Sequence, residues 1–222
     1  MPDRLQSPLR RALAHLEAWL IDHEYIRVLY RNFHRLSENA WRSNQPSPAF
    51  VKKLHERYGI KTIISLRRPD SSGQYLLEKE ACDRHGIQLV HHRFSSREFP
   101  QVEAVLAARD LLQSVDYPIL IHCKSGADRA GLMSVFYRHF ILGEPIEDAR
   151  RKELNWRFGH FRWGDTGKLD AFFDAYETYK ADHPDTSFEE WLTRHYDRDA
   201  LNAHYNAGKL GRLLIDKVLR RE

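Results

Sequence analysis

The sequence predicts an α/β protein: a mainly parallel central sheet flanked by helices, with helical extensions at both ends. Short apolar runs such as Thr62–Leu66 and Ile119–Ile121, bounded by turn residues, read as strands buried on both faces. Segments of helical periodicity lie between them, opened by Ser-Pro pairs or closed by glycine. The two kinds alternate along the chain. That order implies parallel strands joined by right-handed crossovers, with ligands at the carboxyl ends of the strands.

The elements follow in turn. Ser7–Pro8 is an N-cap with proline at the first helical position, and Leu9, Leu13, Leu16, Leu20 and then Ile26 mark one face of a helix reaching about residue 30. Residues 33–43 read as a short strand or hairpin leading into Gln45–Pro46. Ser47–Pro48 opens a helix through Tyr58, which Gly59 stops. Thr62–Leu66 is a buried strand, Gly73 to Gly86 a helix, and Ile87–His92 a further strand. Val102–Ser114 is helical, Ile119–His122 is the central strand, and Ala130–Leu142 is the helix that follows it. Glu147–Leu154, Lys168–Tyr179, Ser187–Tyr196 and Ala200–Leu219 complete an all-helical last third. This divides the chain into an extension over 1–32, a central domain over 33–180 and a second extension over 181–222. No internal repeat or low-complexity segment interrupts it.

Composition narrows the function classes. Apolar residues make up 42% and charged residues 30% of 222, which is the balance of a folded globular chain and not of a disordered one. The net charge of +4 suits an anionic substrate, but nucleic-acid binding calls for a denser basic stripe. Two cysteines make no disulfide framework and favour a reducing compartment. The apolar run after Arg4, Arg10 and Arg11 is broken by His15, Glu17, Asp22 and His23, so neither a signal peptide nor a membrane span is expected. The expected location is cytoplasmic.

One stretch concentrates the chemistry. The strand Ile119–Leu120–Ile121, opened by Pro118, runs into His122–Cys123–Lys124–Ser125–Gly126–Ala127–Asp128–Arg129–Ala130–Gly131, and a helix-like segment begins at once. The first amides of a helix lack backbone partners and its dipole is positive there, so a strand-to-helix loop is an anion site. A cysteine at its base is a candidate nucleophile, because that environment favours the thiolate. Arg129 supplies a planar fork able to grip two oxygens of a phosphate. Nucleophile, anion cradle and clamp within seven residues point to phosphoryl transfer through a cysteinyl-phosphate, with no metal and no other cofactor.

The pattern His122–Cys123–x5–Arg129 resembles the signature loop of the protein tyrosine phosphatase superfamily, in its dual-specificity-like branch. HCKSGADRAG is similar to bacterial tyrosine-phosphatase-like members. Trp41–Arg42–Ser43–Asn44–Gln45–Pro46, followed by Tyr58–Gly59–Ile60–Lys61–Thr62–Ile63–Ile64–Ser65–Leu66–Arg67, is similar to the opening "YRS-x-x-P … GIKTIINLR" of the plant-and-fungal-like atypical phosphatases. The resemblance spans roughly residues 38–180. It implies a dual-specificity-phosphatase-like fold and a cysteine-dependent phosphomonoesterase. Cys123 is then the nucleophile, and Arg129 with the amides of Lys124, Ser125, Gly126, Ala127, Asp128 and Arg129 holds the phosphoryl oxygens. His122 is either a stiffener of the loop or a core histidine bonded to a carbonyl. Gly126 and Gly131 permit the tight turn. Lys124 points outward in the family, where it either favours substrates of higher negative charge or is merely solvated.

The general acid is the open position. Many family members carry an aspartate on a mobile loop about thirty residues before the cysteine, but Arg93–Pro100 holds none, and Glu98 is its single carboxylate. Asp128 ranks first, since the lipid-directed myotubularin-like phosphatases also have aspartate there. Glu98 ranks second, and Asp165, Asp70 or water follow. The alternative for Asp128 is a loop-stabilising partner of Arg97 or Arg129. Ala130 is a further departure, because the family usually has Ser or Thr there to help the thiolate leave.

Other residues have weaker claims. Arg67, matching the family's "NLR" arginine, contacts substrate or pins loops. His160, Arg162 and Trp163 form an aromatic-basic stretch, read either as a loop over the pocket or as packing. The C-terminal Leu210, Leu213, Leu214 and Val218, with Lys209, Arg212, Lys217, Arg220 and Arg221, form an amphipathic basic helix that docks on the domain or touches an anionic membrane surface. The expected partner is a phosphorylated substrate, namely a protein, a lipid (including lipid A-type glycolipids) or an inositol phosphate. The other readings are a catalytically weak pseudophosphatase that binds phospho-ligands, and a rhodanese-type sulfurtransferase, which the Arg129 spacing disfavours.

Overall fold

Five short strands form one sheet in the order β1-β2-β5-β3-β4: β1 (His34–Ser37), β2 (Ala40–Ser43), β3 (Thr62–Ser65), β4 (Gln88–His91) and β5 (Ile119–His122). β1 pairs antiparallel with β2 at one edge, and β2, β5, β3 and β4 run parallel. The structure, a computed structural model, describes residues 30–70 and 72–206 together with Ser7, Ala12 and Ala14. The expected N-terminal helix face and the basic helix beyond residue 206 lie outside the described residues.

The register places Ser43 beside His122, His122 beside Ser65, and Ser65 beside His91. The carboxyl ends of four strands therefore line up, and the chain leaving β5 emerges in the middle of that edge. Helices α1 (Pro48–Tyr58) and α2 (Gly73–His85) join the first parallel strands. α1 starts with Ser47 before Pro48 and stops at Gly59 in the left-handed region, φ 61°. α2 starts where Ser72 Oγ accepts the Tyr75 N–H at 3.3 Å and stops at Gly86, φ 64°.

Alternation along the strands decides the core. Trp41, Ile63 and Leu120 face α1 and α2 and pack with Phe50, Val51, Leu54, Ala81 and Cys82. Ile64, Ile119 and Ile121, at the alternate positions, are fully buried too. Such a side chain contributes about 1.5–3 kcal/mol through burial. Helix α3 (Val102–Ser114) precedes β5, and α4 (Asp128–Phe140) follows it, packing on β5, β2 and α5 (Ile146–Glu153). Then come two 3-10 turns, Trp156–Phe158 and Gly164–Thr166, with α6 (Gly167–Asp182) and α7 (Phe188–Arg194).

The chain divides into two compact units. One comprises residues up to Phe94 with Ala108–His160; it holds the sheet. The other comprises Ser95–Ala107 with the residues from Phe161 onward. In the second unit Phe172, Tyr176, Phe188 and Trp191 form an aromatic core. Tyr196 Oη donates to Pro100 O at 2.9 Å and Arg198 Nε to Phe99 O at 2.9 Å, which ties Ser95–Ala107 to the helices.

Candidate active site

β5 ends at His122, and the loop Cys123–Ala127 turns the chain into α4. The helix begins at Asp128, two residues earlier than periodicity suggests, so Asp128 and Arg129 belong to its first turn. Ala127 occupies the N-cap with no side-chain hydrogen bond, so no capping side chain competes for the first amides. Gly126 has φ 76°, and a Cβ there would stand 2.7 Å from Asn44 N and Ser43 C. Only glycine fits that conformation and that proximity.

Cys123 is 2% exposed at the foot of the loop, and Gly126 N–H donates to its Sγ at 3.2 Å. Lys124 and Ser125 are exposed. Half-buried Arg129 donates from Nη1 to Leu66 O at 3.0 Å, which anchors its guanidinium beside the end of β3. Cys82, the other free thiol, is buried on α2, where desolvation pushes its pKa up, aided by Glu78. Ala130 is fully buried, and its carbonyl accepts Ser134 Oγ at 2.6 Å.

Below the loop lies a buried polar array. His122 Nε2 is 2.8 Å from Glu78 Oε1, although the two are not aligned for a hydrogen bond. Gln45 Nε2 donates to Glu78 Oε2 at 2.6 Å, and Arg67 Nη1 donates to Gln45 Oε1 and, at 3.1 Å, to Gln74 Oε1. Arg67 thus sits among glutamines. Near it, burial holds His91 below the ordinary histidine value.

One backbone amide and two side chains also grip the loop from outside. Gln45 N–H donates to Lys124 O at 3.5 Å, and Asn32 Nδ2 to Ser125 O at 3.1 Å. Fully buried Arg42 donates from Nη2 to Gly126 O at 2.7 Å and to Ala127 O at 3.0 Å. Its Nη1 donates to Glu153 Oε2 at 2.7 Å and Glu153 O at 2.8 Å, and its guanidinium lies 4.3 Å from the Phe158 ring centroid. Burial pulls this guanidinium below the usual arginine value, and Glu153 opposes that.

Asp128 Oδ1 lies 2.7 Å from Nδ1 of His160, whose side chain is 1% exposed. That partner replaces the Arg97 or Arg129 expected as an alternative role for Asp128. Helix α4 and the turn after Phe158 bring the pair together across 32 positions. The aromatic-basic stretch is split: His160 is buried in the first unit, whereas Arg162 pairs with Asp174 at 2.7 Å in the second. There exposed Trp163 stacks on Phe161 with centroids 5.4 Å apart. Glu98 and Asp165 also belong to the second unit, and Glu98 Oε2 is 3.6 Å from Arg198. Asp70 Oδ1 accepts the Ser72 N–H at 2.9 Å, ahead of α2.

Asn32, Glu78, Glu153 and His160's pairing escaped sequence reasoning, as did any role for Arg42. One signal was present: Arg42 is a charge inside the strand Ala40–Ser43, which is buried throughout. Among the described residues no helix is long and apolar enough to cross a membrane.

Residues 31–163 match the family model described as DSP-PTPase phosphatase fused to NAD+ kinase. Over 129 residues the chain is 25% identical to the dual specificity protein phosphatase TpbA of Pseudomonas aeruginosa strain UCBPP-PA14, covering 58% of this chain and 56% of that protein. Over 131 residues it is 28% identical to TpbA of strain PAO1, with the same coverage of 58% and 56%. The chain thus spans a little over half the length of these curated relatives. The crystal structure of P. aeruginosa TpbA in complex with pTyr superposes with a TM-score of 0.52 at 21% identity, covering 78% of this chain and 89% of that one. That last likeness is one of fold.

Proposed function

Because this chain belongs to the PTP-NADK family of DSP-PTPase phosphatases, we propose that it hydrolyses phosphomonoesters through a cysteinyl-phosphate on Cys123. One observation carries the reading: Cys123 Sγ lies at the base of an uncapped helix N-terminus, 3.2 Å from an inward amide, with Arg129 anchored in the same turn. Sγ attacks phosphorus, and the bond from phosphorus to the leaving oxygen breaks. Arg129 and the loop amides hold the equatorial oxygens, whose charge persists in a loose transition state. The departing oxygen takes a proton from Asp128, whose Oδ1 lies 2.7 Å from His160 Nδ1. Water then attacks phosphorus, returning its proton to that pair, and the P–S bond breaks to release the thiolate.

The substrate class we favour is a phosphotyrosine-bearing protein, on the likeness to TpbA and its pTyr complex. Inositol and lipid phosphates are the competing substrates. With two free cysteines, the chain suits a reducing cytoplasm. The test is turnover of para-nitrophenyl phosphate by wild type beside Cys123→Ser, then a panel of phosphotyrosine peptides, inositol phosphates and lipid A. Hydrolysis abolished in Cys123→Ser, with phosphotyrosine peptides the best substrates, is expected. Equal rates in the two proteins would remove the proposal.

A further inference from the structure

Four consecutive carbonyls of the loop are engaged from its outer side. Lys124 O takes the backbone N–H of Gln45, Ser125 O takes Asn32 Nδ2, and Gly126 O and Ala127 O take the two bonds from Arg42 Nη2. A trans peptide is planar, with its C=O and N–H pointing opposite ways. Fixing these carbonyls outward therefore aims the amides of Ser125, Gly126 and Asp128 inward, while the Ala127 N–H donates to Ser125 Oγ at 3.4 Å. One peptide shows both ends of the arrangement: the Ser125 carbonyl is held by Asn32, and the N–H of the same peptide unit, on Gly126, points at Cys123 Sγ.

The two gripping side chains are themselves seated firmly. Asn32 is 3% exposed and adopts φ 46°, a left-handed conformation that costs energy for a residue with a side chain. Its Nδ2 also donates to Phe158 O at 2.9 Å, and its Oδ1 lies 3.0 Å from His34 Nε2. Arg42 is locked by Glu153, which Arg138 Nε also contacts at 2.5 Å. We infer that Asn32 and Arg42 are positioning residues for phosphoryl transfer: an outer clamp that orients the loop amides toward the phosphoryl oxygens and the Cys123 sulfur. This rests on the phosphatase reading, and it assigns to two residues outside the signature loop the geometry of the loop's donors. Neither touches the reacting atoms.

The experiment separates the clamp from the reaction by measuring oxyanion binding as well as turnover. Tungstate affinity is read by calorimetry on wild type, Asn32→Gly and Arg42→Lys, alongside kcat and KM for para-nitrophenyl phosphate, near-UV circular dichroism and melting temperature. Asn32→Gly keeps the backbone conformation and removes the side-chain amide with its bonds to Ser125 O, Phe158 O and His34, whereas Arg42→Lys keeps a charge opposite Glu153 and deletes the fork. Each is expected to bind tungstate about tenfold more weakly or worse, with kcat down by a similar factor, because misdirected donors lose transition-state stabilisation. The folded spectrum is expected to persist. If Arg42→Lys does not fold, Asn32→Gly decides alone. A folded Asn32→Gly protein with tungstate affinity and kcat within about twofold of wild type overturns the clamp, and so does wild type that binds no tungstate. Wild type that binds tungstate yet hydrolyses no phosphomonoester refutes the phosphatase reading while the binding arm still judges the clamp.

Discussion

The two thiols of this chain have opposite surroundings. Cys123 Sγ receives an amide hydrogen bond at 3.2 Å, whereas Cys82 is held among apolar side chains, where burial pushes its pKa up. Iodoacetate should therefore modify Cys123 first, with vanadate or phosphate protecting it, and leave Cys82 untouched until the protein unfolds. Peptide mapping of the alkylated protein checks this, and labelling of Cys82 at an equal rate would contradict it. Asp128→Asn should lower turnover of poor leaving groups by about 10²–10⁴-fold and that of para-nitrophenyl phosphate far less. His160→Gln should reproduce part of that loss, since it removes the partner 2.7 Å from Asp128. If Glu98→Gln shows the pattern instead, the acid lies elsewhere. Cys123, Asp128 and Arg129 stand out in the sequence because they sit within seven consecutive residues. The Asp128–His160 pair was illegible, because no local periodicity links positions 32 apart.

At the level of elements, α4 carries two tests. Gly131 lies where a Cβ would meet Leu154 Cδ2 at 2.7 Å and Glu153 O at 2.9 Å. Gly131→Ala gains up to about 1 kcal/mol of helix propensity but must push the end of α5 away. Overpacking of this kind costs about 1–3 kcal/mol, so chemical denaturation should show a net loss of stability. A more stable variant would mean that α5 yields freely. Ala130 offers no hydroxyl to the departing thiolate, so the second step should limit turnover. Rapid mixing should show a burst of alcohol close to one per enzyme, and Ala130→Ser should raise the steady rate by no more than roughly a hundredfold, the worth of one charge-assisted hydrogen bond. No burst and no gain would assign that role to another group. The element boundaries themselves were readable where capping chemistry marks them, as at Ser47–Pro48 and Gly59. The start of α4 was not, because Ala127 carries no capping side chain and the turn is set by Gly126 against Ser43–Asn44.

On the scale of the whole molecule, the family resemblance ends the expected central domain at residue 180. The second unit, however, includes Ser95–Ala107 and draws on both sides of that boundary. A chain ending at residue 180 would lack Tyr196 and Arg198, the donors to Pro100 and Phe99, and Tyr205, which packs edge-on against Phe99. Phe99 is 2% exposed, so its cover would be removed. Such a chain should melt several degrees below one ending at residue 206 and should be more prone to aggregate. Equal melting temperatures would show that Ser95–Ala107 needs none of those partners.

The alternation of buried strands with capped helices, the loop of Cys123 at the end of the middle strand, and Arg129 beside it were determined by the sequence alone. Each rests on interactions within a few residues: period, cap, and the adjacency of a strand end to a helix start. Which strands neighbour β5, which side chains hold the loop's carbonyls outward, and which group faces Asp128 were decided only by tertiary structure. Those contacts join Asn32 to Ser125, Arg42 to Glu153 and Asp128 to His160. A linear pattern carries no sign of them, because a hydrogen bond depends on distance and direction in space. The crossovers bring such partners together only after the sheet has formed.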